Sequence, residues 1–252
     1  MSKFANYDQE LQDIISIIDQ NHIEIANRIS SYYDLLLRND NGKLREILKT
    51  NFILLLYSSF EGTIKKIANG FFDFLKKIKE KNKNIQFIDK YEHIISFHNN
   101  YGKFRDTEIK NFVSCFSNSS FIICNTRNFD MCKLRINTES NLKYETFIAI
   151  LYMLNINADN FVFKEKSGSI KEEERANIIP KELDNFVDKR NKIAHGDELY
   201  IDDITNIIKD EELELYKELI KYLIDKFWKE VLNILMNEKF LIQENLCNHS
   251  LD

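Results

Sequence analysis

Residues 44–83 read LREILKTNFILLLYSSFEGTIKKIANGFFDFLKKIKEKNK. Within this stretch Leu44, Ile47, Leu48, Phe52, Leu55, Phe60, Ile64, Ile67, Phe71, Leu75 and Ile78 fall mostly three or four positions apart. That is the spacing of side chains on one face of an α-helix, and it predicts a single long helix closing in the charged run Lys76 to Lys83. The preceding residues carry the same period at Leu11, Ile14, Ile15, Ile18, Ile25, Ile29, Tyr32 and Leu36, predicting a helix over about Phe4 to Leu37. Between the two, Asn39-Asp40-Asn41-Gly42 supplies a polar break. Two long helices joined by a short turn pack antiparallel.

Composition agrees with this local reading. The chain has 252 residues, 44% hydrophobic and 12% aromatic, enough for one large domain, or one domain with an insertion, around a substantial core. Six glycines and one proline leave few turn-formers. A net charge of −5 argues against a broad basic face, so any nucleic-acid contact is expected in a local groove. Cys115, Cys124, Cys132 and Cys247 lack the paired short spacing of zinc sites and read as free thiols. His93 and His98 are five apart, not at the i, i+4 step of a helical zinc pair, so no metal is assigned. Glycine patterns for nucleotides are absent, and no cofactor is expected. Met1 to Asp40 carries acids early and reads as neither signal nor transit peptide, and the longest apolar run, Phe52 to Tyr57, is too short for a bilayer. The expectation is a cytoplasmic protein without a membrane partner.

From about Ile85 to Asn177 the periodicity weakens. This region reads as an insertion containing a short strand near Phe121 to Cys124, a helix from Tyr144 to Leu154 and an exposed loop from Lys164 to Arg175. Pro180, the single proline, marks a helix start, since its missing N–H costs nothing in the first turn. Leu183, Phe186, Val187 and Ala194 give that helix an apolar face, and Gly196 suits a C-terminal cap. A last helix is predicted from Asp210 to Phe240, with Leu213, Tyr216, Ile220, Leu223, Phe227, Val231 and Ile234 as its stripe. The fold expected is mainly α: one domain over 1–252, an antiparallel helical bundle framed by about 4–80 and 178–240, with a less regular central insertion over about 85–177.

The penultimate helix ends in Arg190-Asn191-Lys192-Ile193-Ala194-His195-Gly196. Arginine keeps its charge and presents a planar fork that matches phosphate oxygens, while histidine exchanges protons near neutrality. Five residues place the two side chains about 140° apart around an ideal helix, so one helix alone aligns them poorly. A plainer reading stands beside the chemical one. Basic residues in a last turn satisfy free carbonyls, and Arg190 could serve as the ion-pair partner of Glu61 or Asp184.

This segment resembles the Arg-polar-x3-His motif of the HEPN superfamily, including its frequent trailing glycine. Leu54 to Gly62, on the long helix, is similar to an aromatic-Glu stretch of several stand-alone members. The resemblance covers the helical frame; the middle third has no counterpart. It implies a homodimer whose two motif helices meet at the two-fold axis, forming a metal-independent ribonuclease site for an RNA substrate. Arg190 and His195 would be catalytic, Asn191 would position, and Glu61 would support, with Arg190 as its expected cation. The products would carry 2′,3′-cyclic phosphate and 5′-hydroxyl ends. Family context implies a toxin or anti-phage defence effector, with an antitoxin or defence-system protein as partner. The alternative is a non-catalytic dimeric interaction module or an RNA-sensing subunit. Some HEPN toxins carry a tyrosine two positions after the histidine that a partner enzyme modifies; here it is Asp197, which puts that route of neutralisation in doubt.

Overall fold

A computed structural model describes residues 8–88, 90–92, 129–130, 135–136, 138, 141–164, 176–195 and 208–242. The expected strand at Phe121 to Cys124, most of the expected loop, His93, His98, the four cysteines and Gly196 lie outside the described residues.

The architecture is mainly helical. Helix α1 spans Asp8–Leu37 and buries Leu11, Ile14, Ile18, Ile25, Ile29 and Leu36 on one stripe. After the break, Asn41 accepts a hydrogen bond from the Leu44 N–H at 3.3 Å and starts α2, Gly42–Lys81, a 40-residue helix about 60 Å long. The asparagine-glycine cluster therefore acts both as break and as cap.

α2 is the centre of the molecule. From Phe52 onward it buries Phe52, Ile53, Leu56, Tyr57, Phe60, Ile64, Ile67, Ala68, Phe71, Phe72, Phe74, Leu75 and Ile78, which together leave little of its circumference for solvent. A helix apolar on so many sides must be surrounded. α1 covers one side, approaching so closely at Gly70 that a Cβ there would lie 2.7 Å from the Ile14 Cδ1.

Two short antiparallel strands, β1 (Phe129–Asp130) and β2 (Arg135–Ile136), dock on α2 through the Ile136 N–H, which donates to the Asn69 Oδ1 at 2.8 Å. Helix α3 follows at Tyr144–Met153 and buries Phe147, Ala149, Ile150, Leu151 and Met153. Its chain reverses at Asn155, whose φ of 56° is a left-handed conformation that asparagine tolerates. Helix α4, Ile179–His195, begins with Pro180 in its first turn, as expected, and Asn177 caps it by accepting from the Ile179 N–H at 3.2 Å. Helix α5 runs Asp210–Met236, short of the expected Phe240. It stops because Glu238 adopts φ 48°, turning the chain so that Phe240 packs edge-on to Phe74 and Phe87.

The described parts of the middle region do more than decorate the frame. Phe87, Tyr91, Leu142, Phe147, Ile150 and Phe161 join the same buried cluster as the long helices. Phe147 packs against Phe60 of α2 and Phe227 of α5, so this region contributes to the core between those helices.

Polar contacts then set how α5 lies. The single tryptophan, Trp228, donates to the Asp19 Oδ1 at 2.9 Å and stacks on His22 at 4.3 Å, while the His22 Nε2 lies 2.6 Å from the Asp225 Oδ1. At the other end the buried Lys49 ammonium pairs with Asp210 at 2.8 Å and Glu46 at 3.0 Å, and Arg45 reaches Asp210 at 3.2 Å. Burial alone would lower the Lys49 pKa, but the two carboxylates outweigh it and hold the value up. The hydrogen bond from Lys49, with Arg45 behind it, holds the Asp210 carboxyl below the ordinary aspartate value.

A lowered folded pKa means that this contribution to stability is fully present above the ordinary aspartate value and disappears as pH falls through the folded one. In acid titrations followed by Trp228 fluorescence, Asp210→Asn is expected to be less stable than wild type at neutral pH, with the gap starting to close at about pH 4 and vanishing only below the lowered folded value. Parallel curves would show that Asp210 contributes nothing pH-dependent.

Candidate functional site

The site is assembled where α4 crosses α2. Leu183, Phe186, Val187 and Ile193 bury the apolar face of α4, with Phe186 against Tyr57 of α2 and Tyr216 of α5. Salt bridges hold the rest of the helix on two sides. Asp188 pairs with Lys143 at 2.6 Å, and Lys189 pairs with Glu212 of α5, which also accepts from the Tyr216 hydroxyl at 2.9 Å. Asp184 accepts from the Tyr144 N–H at 2.8 Å and so caps α3.

Arg190, half-buried, turns towards α2. Its Cζ lies 3.4 Å from the centroid of the Tyr57 ring, a face-on cation–π contact. Tyr57 is itself 4% exposed, and its oxygen accepts from the Leu142 N–H at 3.0 Å. Burial pushes the Tyr57 phenol pKa up, opposed by that N–H and by Arg190.

One turn further along α2, the Glu61 carboxylate accepts from the Thr138 hydroxyl and pairs with Lys65 at 3.1 Å. Where Arg190 is expected as its cation, the ion pair found for Glu61 among the described residues is with Lys65, four residues on along the same helix. Asn191 is directed to Asn141, its Nδ2 3.4 Å from the Asn141 Oδ1.

His195 sits differently. It is exposed on the last turn of α4 and lines an open groove of about 740 Å³ with Asp188, Lys189, Lys192, Glu212 and Tyr216. Arg190 does not line that groove. Within one chain, then, the helix sends the arginine to the α2 side and the histidine to the α5 side, as the 140° separation predicts. The lining mixes basic and acidic side chains, consistent with a net negative protein that confines any attraction for polyanions to a small area. Among the described residues no three His, Cys, Asp or Glu side chains gather as a metal-binding group, and no helix is long and apolar enough to cross a membrane.

Sequence reasoning missed three participants. Lys65 was legible as an i, i+4 neighbour of Glu61. Thr138 and Leu142 were not, since they arrive from a region without periodicity and meet α2 only in space.

The RiboL-PSP-HEPN family model matches residues 6–233, and the chain belongs to that family. The match spans the middle region as well as the frame. No curated protein and no solved structure matches the chain.

The Thr138 hydroxyl is buried and serves Glu61, so its loss leaves a largely buried carboxylate short of a donor. Thr138→Val is expected to cost roughly 1–3 kcal/mol, read as a lower urea midpoint at unchanged slope. An unchanged midpoint would mean that Lys65 and solvent suffice for Glu61.

Proposed function

We propose that the chain is a metal-independent endoribonuclease, cytoplasmic, folded as one domain with its helical frame at about 4–80 and 178–240 and its insertion at about 85–177. The observation that carries this reading is the division of α4: an arginine oriented by an aromatic platform on one side, and an exposed histidine at the mouth of a groove on the other. Family membership supplies the chemical context.

RNA brings its own nucleophile, the ribose 2′-hydroxyl, so the protein need only move protons and stabilise charge. In the proposed reaction His195 takes the 2′-hydroxyl proton as that oxygen attacks phosphorus. Arg190 neutralises the pentacoordinate phosphorane with its guanidinium fork. The bond to the 5′ oxygen breaks, that oxygen takes up a proton from a protonated His195 of the proposed dimer, so that no net proton is gained or lost, and the ends are a 2′,3′-cyclic phosphate and a 5′-hydroxyl. Asn191, beside Arg190, would orient the substrate, and Glu61 would support the α2 side of the site.

Because one chain points Arg190 and His195 to different sides, the reading includes a homodimer in which each α4 supplies what the other lacks. A toxin or anti-phage defence role, with an antitoxin or defence-system protein as partner, follows from the family context alone.

A second reading has one observation in its favour. The contact between Arg190 and Tyr57 is itself a packing interaction, and it would exist in a non-catalytic dimeric module or an RNA-sensing subunit too.

Cleavage of total RNA in EDTA separates the readings. Wild type is expected to cut and leave cyclic phosphate ends, with Arg190→Ala and His195→Ala each slower by at least about 100-fold. His195→Ala, being exposed, should keep its melting temperature. A pure dimer that cuts no RNA, or variants that cut at the wild-type rate, would overturn the ribonuclease reading.

A further inference from the structure

We propose that Tyr57 is the positioning residue of the site: its ring is the platform that holds the Arg190 guanidinium in one orientation. This deepens the ribonuclease reading and rests on it for its catalytic meaning.

The ring is fixed from several directions before Arg190 meets it. Its backbone belongs to the buried middle of α2, and its ring makes a tilted contact with Phe186 of α4 at a centroid distance of 6.3 Å. Its hydroxyl oxygen is held by the Leu142 N–H at 3.0 Å, from the stretch that leads into α3. Three separate parts of the chain therefore locate one aromatic plane, and at 4% exposure it has no room to rotate away.

Arginine is the side chain that most needs such help. It has several rotatable bonds and loses much freedom when it must present a planar fork at one angle. The Arg190 Cζ lies over the ring face, 3.4 Å from its centroid. A guanidinium held over a ring forms its hydrogen bonds along the edge of its fork, the geometry that matches phosphate oxygens, and here the Nε end of that edge is buried. Burial pushes the phenol pKa up, so Arg190 meets a ring face and a neutral hydroxyl and not a phenolate. That distinction makes the role of the ring separable from the role of the hydroxyl. A phenylalanine preserves the platform, whereas a leucine of similar bulk removes it.

The site thus depends on elements distant in sequence. Residues 57 and 142 set the angle of a side chain at 190, and any shift of the α3 entry relative to α2 would reach the guanidinium through the tyrosine.

The test compares Tyr57→Leu and Tyr57→Phe, each alone and with Arg190→Ala, in RNA cleavage, alongside NMR of protein carrying isotope-labelled arginine. Tyr57→Leu is expected to lower kcat roughly 10- to 100-fold with little change in KM, the pattern of a group that matters in the transition state. Tyr57→Phe should restore most of that turnover. In the Arg190→Ala background Tyr57→Leu should cost nothing further, because a residue acting through Arg190 has then nothing to position. A merely structural tyrosine would lower activity in both backgrounds alike.

The NMR arm does not need activity. The Arg190 side-chain signals, assigned from their loss in Arg190→Lys, are expected upfield of the other arginines in wild type and Tyr57→Phe, and normal in Tyr57→Leu. An Arg190 signal without that ring-current displacement in wild type overturns the platform, as does an additive loss in the double variant. Should wild type cut no RNA while the displacement is present, the ribonuclease reading fails and the platform stands on the displacement. If Tyr57→Leu melts below the assay temperature, wild type and Tyr57→Phe carry the spectroscopic comparison.

Discussion

The constraint on which the structure depends is that the middle of α2 cannot be left in water on any broad face. Between Phe52 and Ile78 its buried side chains point in nearly every direction around the axis. At about 25 cal/mol per Å² of apolar surface, leaving one such face exposed would remove a large part of a domain's net stability. α1 alone covers one side. The remaining sides require α4, α5 and the described parts of the middle region, whose Tyr91, Leu142 and Phe147 belong to the same core. The position of every other element is a solution to that one burial problem.

The site inherits its geometry from this arrangement. Tyr57 and Glu61 are one turn apart on the buried helix, so whatever packs against α2 there comes into their reach. What packs there is α4, drawn in by Phe186 and pinned by Lys143 and Glu212. A helix held this way has one side turned to α2 and another to the groove beside α5, and the five-residue step between Arg190 and His195 divides them between those sides. In the proposed reaction, charge stabilisation and proton transfer act on one phosphate from different directions, with a second copy of the chain as the proposed source of the missing one.

How much of this was readable beforehand differs by element. α1, α3, α4 and the start of α5 lie close to their expected bounds, because apolar spacing, Asn41 and Pro180 are local signals that act through the helix's own geometry. The end of α5 was less legible: a stripe continuing to Phe240 does not reveal that Glu238 turns the chain so that Phe240 can fill a gap beside Phe74 and Phe87. The middle region lacks periodicity, and its contributions to the core, Phe147 and Ile136 among them, were not legible. Short segments buried on all sides need no regular pattern, because neighbours from elsewhere in the chain decide which of their faces are covered.

The site shows the same division. By itself the sequence determined that Arg190 and His195 share the end of one helix, that they diverge around its axis, and that Glu61 lies on a buried helix and needs a cation. Those are consequences of 3.6 residues per turn and of the cost of burying charge. Only the tertiary structure decided the partners. Glu61 takes Lys65 and Thr138, Asp184 takes the first N–H of α3, and Arg190 takes the face of Tyr57. Which of several chemically adequate groups wins is a matter of distance after packing, and distance between residues 57, 138, 142 and 190 is set by how four separate segments close around α2.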